Sequence, residues 1–211
     1  MGSLATADPN ELPLGAQSYP ETELERKIRA CTVCAEHLPR EPKPIVRLPH
    51  SARIAIISQA PGRLAHESGI PWDAPSGRRL RVWLGVTEDE FFHSGVFAIL
   101  PSGFCYPGKG KSGDLPPRRE CSPLWHPRAR TVQPRLELKL SIGTYALKRY
   151  LPATQKRNLT ETVRHYSEYL PEHFPLVHPS PLNGRWLRKN PWYEEEVIPV
   201  LQSTIRRFLV D

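Results

Sequence analysis

Arg53-Ile-Ala-Ile-Ile-Ser-Gln-Ala-Pro-Gly62 is the stretch whose reading decides the fold. Its first six residues, Arg53–Ser58, are rich in β-branched apolar side chains and read as a buried strand, which Gln-Ala-Pro-Gly punctuates. Working outward, residues 63–75 read as a loop, and Ser76 as the cap of a helix with Leu80, Trp83 and Leu84 on its inner face. Val96–Leu100 is a second apolar strand, followed by a Gly-, Lys- and Pro-rich loop to about residue 120 and a helix near Pro123–Val132. Leu136–Ile142 reads as a third strand, and Thr144–Tyr150 and Asn158–Tyr166 as helices, the latter started near Thr160 and Glu161. A fourth strand ends in Pro175–His178, and Pro191–Leu209 is a final amphipathic helix with proline in its first turn. On the other side of the deciding stretch, residues 21–30 form a short helix and residues 1–20 a disordered arm. Strands alternating with helices predict an α/β fold, a three-layer α/β/α arrangement around a central four-stranded, mainly parallel sheet, with residues 21–211 as one domain. Ligands of such sheets bind beyond the carboxyl ends of the strands, here the loops 59–75, 101–120 and 178–190.

The bulk properties agree with one globular domain. The 211 residues are 39% apolar, and 24 prolines keep much of the chain in turns. No apolar run approaches the ~18 residues of a membrane span, and the first twenty residues lack the pattern of a secretory signal. A cytoplasmic, monomeric protein with no membrane contact is the expectation. Lys and Arg number 29 against 22 Asp and Glu, a net +7 that favours a polyanionic partner such as nucleic acid. The basic residues crowd into Arg78–Arg81, Lys109–Lys111, Arg118–Arg119, Arg128–Arg130 and Arg185–Lys189, in loops or helix starts.

Four cysteines fall into two pairs, Cys31-x2-Cys34 and Cys105-x15-Cys121. Disulfides are rare in a cytosolic protein, so the choice lies between a metal group and free thiols. Zinc and a [4Fe–4S] cluster both accept four thiolates, and spacing alone does not separate them.

Two loops carry a resemblance. Ser58-Gln-Ala-Pro-Gly62, followed by Glu67-x-Gly69-x-Pro71-Trp72, resembles the first motif of the iron–sulfur (family 4-like) uracil-DNA glycosylases, a Gly-Glu-Ala-Pro-Gly turn and then Gly-x-Pro-Phe. His178-Pro-Ser-Pro-Leu-Asn183 resembles the superfamily's second motif, and the cysteine spacing is similar to that of the iron–sulfur branch. The resemblance runs from about residue 28 to the C-terminus. It implies a monofunctional glycosylase that flips uracil or another deaminated base out of single- or double-stranded DNA, hydrolyses its N-glycosidic bond and leaves an abasic site. It also implies a [4Fe–4S] cluster on Cys31, Cys34, Cys105 and Cys121, with zinc as the alternative.

The implied site follows residue by residue. Trp72 takes the aromatic position and stacks on the base, with Gln59, Ala60 and Gly62 in the same turn as base contacts. Asp73 positions the attacking water, and Glu67 is the other acid candidate. His178 hydrogen-bonds the uracil O2 and stabilises the departing anion. Leu182 stands where the superfamily has its wedge, and Ser180, Asn183 and Arg185 are DNA contacts. The chain departs from the pattern at Gln59 and His66, where the branch has glutamate and aspartate. The branch's base-reading asparagine is also missing from Leu100-Pro-Ser-Gly-Phe-Cys105, which leaves the base edge to Ser102 or to amides near Gly103. The stretch 105–121 has no histidine for covalent capture of the base, and no lysine stands where a Schiff base is arguable. Two rival readings are a non-catalytic lesion- or DNA-binding module and a zinc-stapled nucleotide-binding protein.

Overall fold

A computed structural model describes residues 18–151 and 153–210. The strands are β1 (Ile54–Ile57), β2 (Phe97–Ile99), β3 (Lys109–Gly110), β4 (Gly113–Asp114), β5 (Leu138–Ile142) and β6 (His173–Leu176). The helices are α1 (Glu23–Arg29), α2 (Arg63–Ser68), α3 (Pro75–Leu84), α4 (Glu88–His93), α5 (Cys121–Thr131), α6 (Gly143–Tyr150), α7 (Leu159–Arg164), α8 (Gly184–Lys189) and α9 (Ile198–Val210). Four strands form one sheet in the order β2-β1-β5-β6 with every pairing parallel. The two short strands β3 and β4 make a separate antiparallel hairpin.

The continuous apolar run of β1 has its reason in the sheet, where all four of its residues are buried. Ile54 and Ile56 face a large cluster with α3, α4, α7 and α9 through Leu80, Trp83, Phe91, Val163 and Leu201. Ala55 and Ile57 point the other way, onto Ala146 of α6, and Ala98 of β2 meets α1 and α5 on that same side. The three-layer α/β/α fold is the result. The open edge of β2 is closed by Arg47, which exchanges backbone hydrogen bonds with Ile99 at 3.2 and 2.7 Å. No helix among the described residues is long and apolar enough to cross a membrane.

Several local expectations are corrected. Residues 63–75 hold the helix α2, closed at Gly69, whose φ of 79° is the left-handed turn that glycine favours. Ser76 is not the cap of α3: that helix starts at Pro75 behind Ala74, without a side-chain cap. Asn158, not Thr160 or Glu161, caps α7 by accepting the Glu161 amide at 2.9 Å. Strand β6 ends at Leu176, two residues short of His178, and a π-helical turn at Tyr193–Val197 precedes α9. The helices α4 and α8 and the β3–β4 hairpin are additions. Of the arm expected over residues 1–20, residues 1–17 lie outside the described residues. Residues 18–20 are tied in, because the Tyr19 hydroxyl donates to Glu25 Oε1 at 2.8 Å and accepts the Leu48 amide at 3.1 Å.

Candidate active site

The carboxyl ends of β1 and β2 are fastened together before any side chain enters the site. Ser58 O accepts the Ser102 amide at 2.8 Å and the Ser102 hydroxyl at 2.8 Å, and Gln59 O accepts the Gly103 amide at 2.9 Å. The loop leaving α2 then turns sharply at Trp72, whose φ of 61° is the left-handed conformation that side chains rarely adopt. The turn is held because the Trp72 carbonyl accepts the Ala74 amide at 2.9 Å and tucks against Gly77. A Cβ on Gly77 would stand 1.7 Å from that carbonyl oxygen, so only glycine permits the approach.

From the other edge, the segment after β6 brings His178 beside Trp72. The rings stack with centroids 5.8 Å apart and planes at 29°. Asn183 Nδ2 donates to the His178 carbonyl at 2.7 Å, and Ser180 Oγ accepts the Leu182 amide at 3.2 Å, which shapes the Pro-Ser-Pro-Leu turn. Arg79 of α3 donates to Ser180 O at 3.2 Å and braces that turn from below. Burial pushes the His178 imidazole down to about 4, so the ring is neutral at physiological pH. A neutral ring keeps one N–H to donate and makes a polar contact without carrying a buried charge.

These segments enclose a cleft of about 660 Å³, a size that suits a flipped nucleotide. Gln59, Ala60, Gly62 and Trp72 line it from the first motif, and His178, Ser180, Leu182 and Asn183 from the second. Leu182 is 77% exposed at its mouth. Trp72 is both wall and core, since its ring also packs into the large apolar cluster. Four candidates are placed elsewhere. Asp73 is half-buried on the turn but forms no part of the cleft wall. Glu67 lies on the outer side of α2, where both of its oxygens accept from Arg63 Nη1 at 2.9 Å. Ser102 is buried with its hydroxyl donated to Ser58 O, so it forms part of the fastening and not of the wall. Arg185, exposed on α8, lies outside the wall and has no ion pair among the described residues.

The wall also contains residues that the sequence reading passed over. The β3–β4 hairpin contributes Lys109 and Asp114, whose Cα atoms face each other across the two strands, and the start of α6 contributes Thr144 and Tyr145. The signal for the hairpin was the pair Gly110 and Gly113 around a two-residue turn, hidden inside a stretch that reads as one long loop. Some of the basic clusters turn out to be structural: Arg81 is buried, pairs with Glu88 and lies over Phe91 and Phe92.

The four cysteines line a second, small cavity behind the cleft, walled by Ile28, Leu38, Phe104 and Trp125. None is in a disulfide. Burial pushes the Cys105 thiol up to about 12 and the Cys121 thiol up to about 11, and the neighbouring cysteines add to both shifts. Four thiols facing one cavity form a donor set that a cationic centre would convert to thiolates. As placed, no three His, Cys, Asp or Glu side chains among the described residues form a group fit for a metal ion.

The family model for the uracil DNA glycosylase superfamily matches residues 46–202. The matched span holds the whole four-stranded sheet, both motif loops and the hairpin. Superfamily members are DNA glycosylases, hydrolases of base-excision repair, and act on DNA. The sheet order, the Gln-Ala-Pro-Gly turn at the end of β1 and the His-Pro-Ser-Pro turn after β6 lead to the same place: this chain belongs to the uracil DNA glycosylase superfamily.

Proposed function

We propose that this protein is a monofunctional glycosylase that hydrolyses uracil, or another deaminated base, from DNA. The observation that carries the reading is the stacked Trp72–His178 pair in one cleft with Gln59. A base turned out of its helix stacks on the Trp72 face. The Gln59 carboxamide makes no hydrogen bond among the described residues and offers one acceptor and two donors. That combination matches the N3–H and O4 of uracil, and it supplies the edge reading that the missing asparagine would otherwise give. Neutral His178 donates to the uracil O2 as negative charge grows on the leaving base. Leu182 fills the space left in the base stack, and exposed Arg185 meets a phosphate.

The reading includes a [4Fe–4S] cluster on Cys31, Cys34, Cys105 and Cys121, with zinc as the alternative. A single zinc ion needs all four sulfurs about 2.3 Å from one point, whereas a cluster takes each thiolate on its own iron. The lining of one small cavity by all four cysteines is what supports a shared centre, and the likeness of their spacing to the iron–sulfur branch supports the cluster. When bound, the cluster supplies a structural staple: Cys31 and Cys34 tie the N-terminal segment to the loop between Cys105 and Cys121.

The experiment is incubation of the purified protein with single- and double-stranded DNA carrying uracil, hypoxanthine or xanthine, followed by alkali. Strand cleavage at uracil by a brown, iron-containing protein is the expected result. A non-catalytic lesion reader is the second reading, and the position of Asp73 and Glu67 off the cleft wall favours it. Retained binding without base release on every lesion would establish that second reading.

A further inference from the structure

We propose that Asp114, on the β3–β4 hairpin, is the carboxylate that holds the attacking water and faces the cationic sugar. The inference rests on the glycosylase reading above. Base hydrolysis passes through positive charge at C1′, and a carboxylate beside that carbon lowers the barrier. Asp114 is the only Asp or Glu among the described residues that lines the cleft. The hairpin folds it over the turn after β1: a Cβ on Gly62 would lie 3.4 Å from Asp114 Oδ2, ordinary contact distance. The carboxylate therefore lies across the same turn that carries Gln59 and Ala60, in the cleft walled by Trp72 and His178.

Asp114 is also chemically available. Its carboxylate makes no hydrogen bond or ion pair among the described residues, in contrast to that of Glu67, which is held by Arg63 and Arg40. Its cross-strand neighbour Lys109 lines the cleft as well, so the hairpin offers one negative and one positive group to a nucleotide. The lysine suits the phosphate and the aspartate the sugar. Gly108, at φ 105°, and Gly113, at φ 128°, give the hairpin backbone a course that residues with side chains rarely follow.

The step balances as follows. The C1′–N bond breaks and its electron pair leaves with the base, whose anion is held by His178 and takes a proton from solvent. The water held by Asp114 adds to C1′, and its proton passes to the carboxylate and then to solvent. One water is consumed, and the abasic sugar and free base are released.

The test uses the full chain and Asp114→Asn, with base release and binding measured side by side. Binding is measured on two abasic analogues, a pyrrolidine site that carries a cation and a neutral tetrahydrofuran site. For the variant, a kcat lowered by ~10²-fold or more with KM within about threefold is expected, as for loss of a group that acts in the transition state. Wild type binds pyrrolidine DNA more tightly than tetrahydrofuran DNA, and the variant loses that preference. Thermal unfolding at the wild-type temperature checks that the exposed substitution leaves the fold intact. A variant that keeps the wild-type rate overturns the proposal, and so does one that keeps the cation preference. If wild type releases no base from any lesion, the glycosylase reading falls, and the paired binding still decides Asp114: a cation preference lost in the variant sustains its position, and no preference in wild type overturns it.

Discussion

His126 shows how a single buried side chain sets a pH limit on this fold. It is 2% exposed on α5, with Nε2 3.0 Å from the Pro101 carbonyl and Nδ1 2.8 Å from the Tyr150 hydroxyl. A carbonyl can only accept, so Nε2 carries the hydrogen and Tyr150 donates to Nδ1. Protonating Nδ1 would turn the Tyr150 hydroxyl from donor to acceptor and leave a charge in the interior, and burial holds the imidazole down to about 4. His178 is held equally low, while His66 and His173 are lowered by burial and by nearby lysine or arginine. Each of these groups binds a proton more readily when unfolded, near 6.5, than when folded. Stability is therefore complete above that value and is lost as pH falls toward 4. For His126 alone the slope is about 1.4 kcal/mol per pH unit in that window. Denaturant titrations at pH 7.5 and 5 are expected to show the loss, and His126→Gln a shallower one. Base release should persist to lower pH than an ordinary histidine allows, since His178 stays neutral until about 4. None of this was legible in the sequence, where a histidine's pKa depends on neighbours that only the fold supplies.

Among the elements, legibility followed length and period. Strands β1 and β5 and the helix α3 announce themselves by the spacing of their apolar side chains and stand within a few residues of the expected places, while α9 starts at Ile198, after the π-helical turn that takes up the expected first turns. Short elements did not: α2 and α8 have six residues each and the hairpin strands two each, too few for a period. The capping box Thr87-x-x-Glu90 that starts α4 was present in the sequence and was the available signal. The helix α3 carries a prediction of its own, because its first turn sets the site. Gly77→Ala would drive a methyl into the Trp72 carbonyl, so either α3 moves or the left-handed turn at Trp72 opens. A loss of about 1–3 kcal/mol in unfolding free energy is expected, together with a weaker kcat. The near-ultraviolet signal of Trp72 against His178 should change with it. A variant as stable and active as wild type would show that the turn tolerates the displacement.

At the scale of the whole molecule, the fold class was readable because β1 and the alternation around it constrain topology strongly. The cleft was half readable. Its two motif walls lie at strand ends, where the sequence points, but its third wall is the hairpin, brought over by tertiary folding. Asp114 escaped notice inside a basic loop, whereas Asp73 attracted it by standing next to Trp72. The net charge of +7 divides in the same way. Arg81 serves the core, while Arg185, Arg188 and Lys189 stand exposed on α8 beside the His178 turn. DNA affinity is expected to fall with salt, with a slope of roughly 0.9 for each phosphate met on duplex DNA. Arg185→Ala should reduce that slope by about one phosphate and leave the choice of base unchanged. Fluorescence titrations across a salt series would check both.

Cys105 and Cys121 open onto the same small cavity, and the 15 residues between them leave from and return to it. The third wall of the cleft is therefore a cassette. A group bound by the four cysteines, as proposed above, would fix both of its ends, so that it could be lengthened, shortened or recharged without altering a strand of the four-stranded sheet. A new substrate preference could be written in the segment 106–120 alone, by exchange with a relative or by selection, while the aromatic pair and the sheet beneath it stay unchanged.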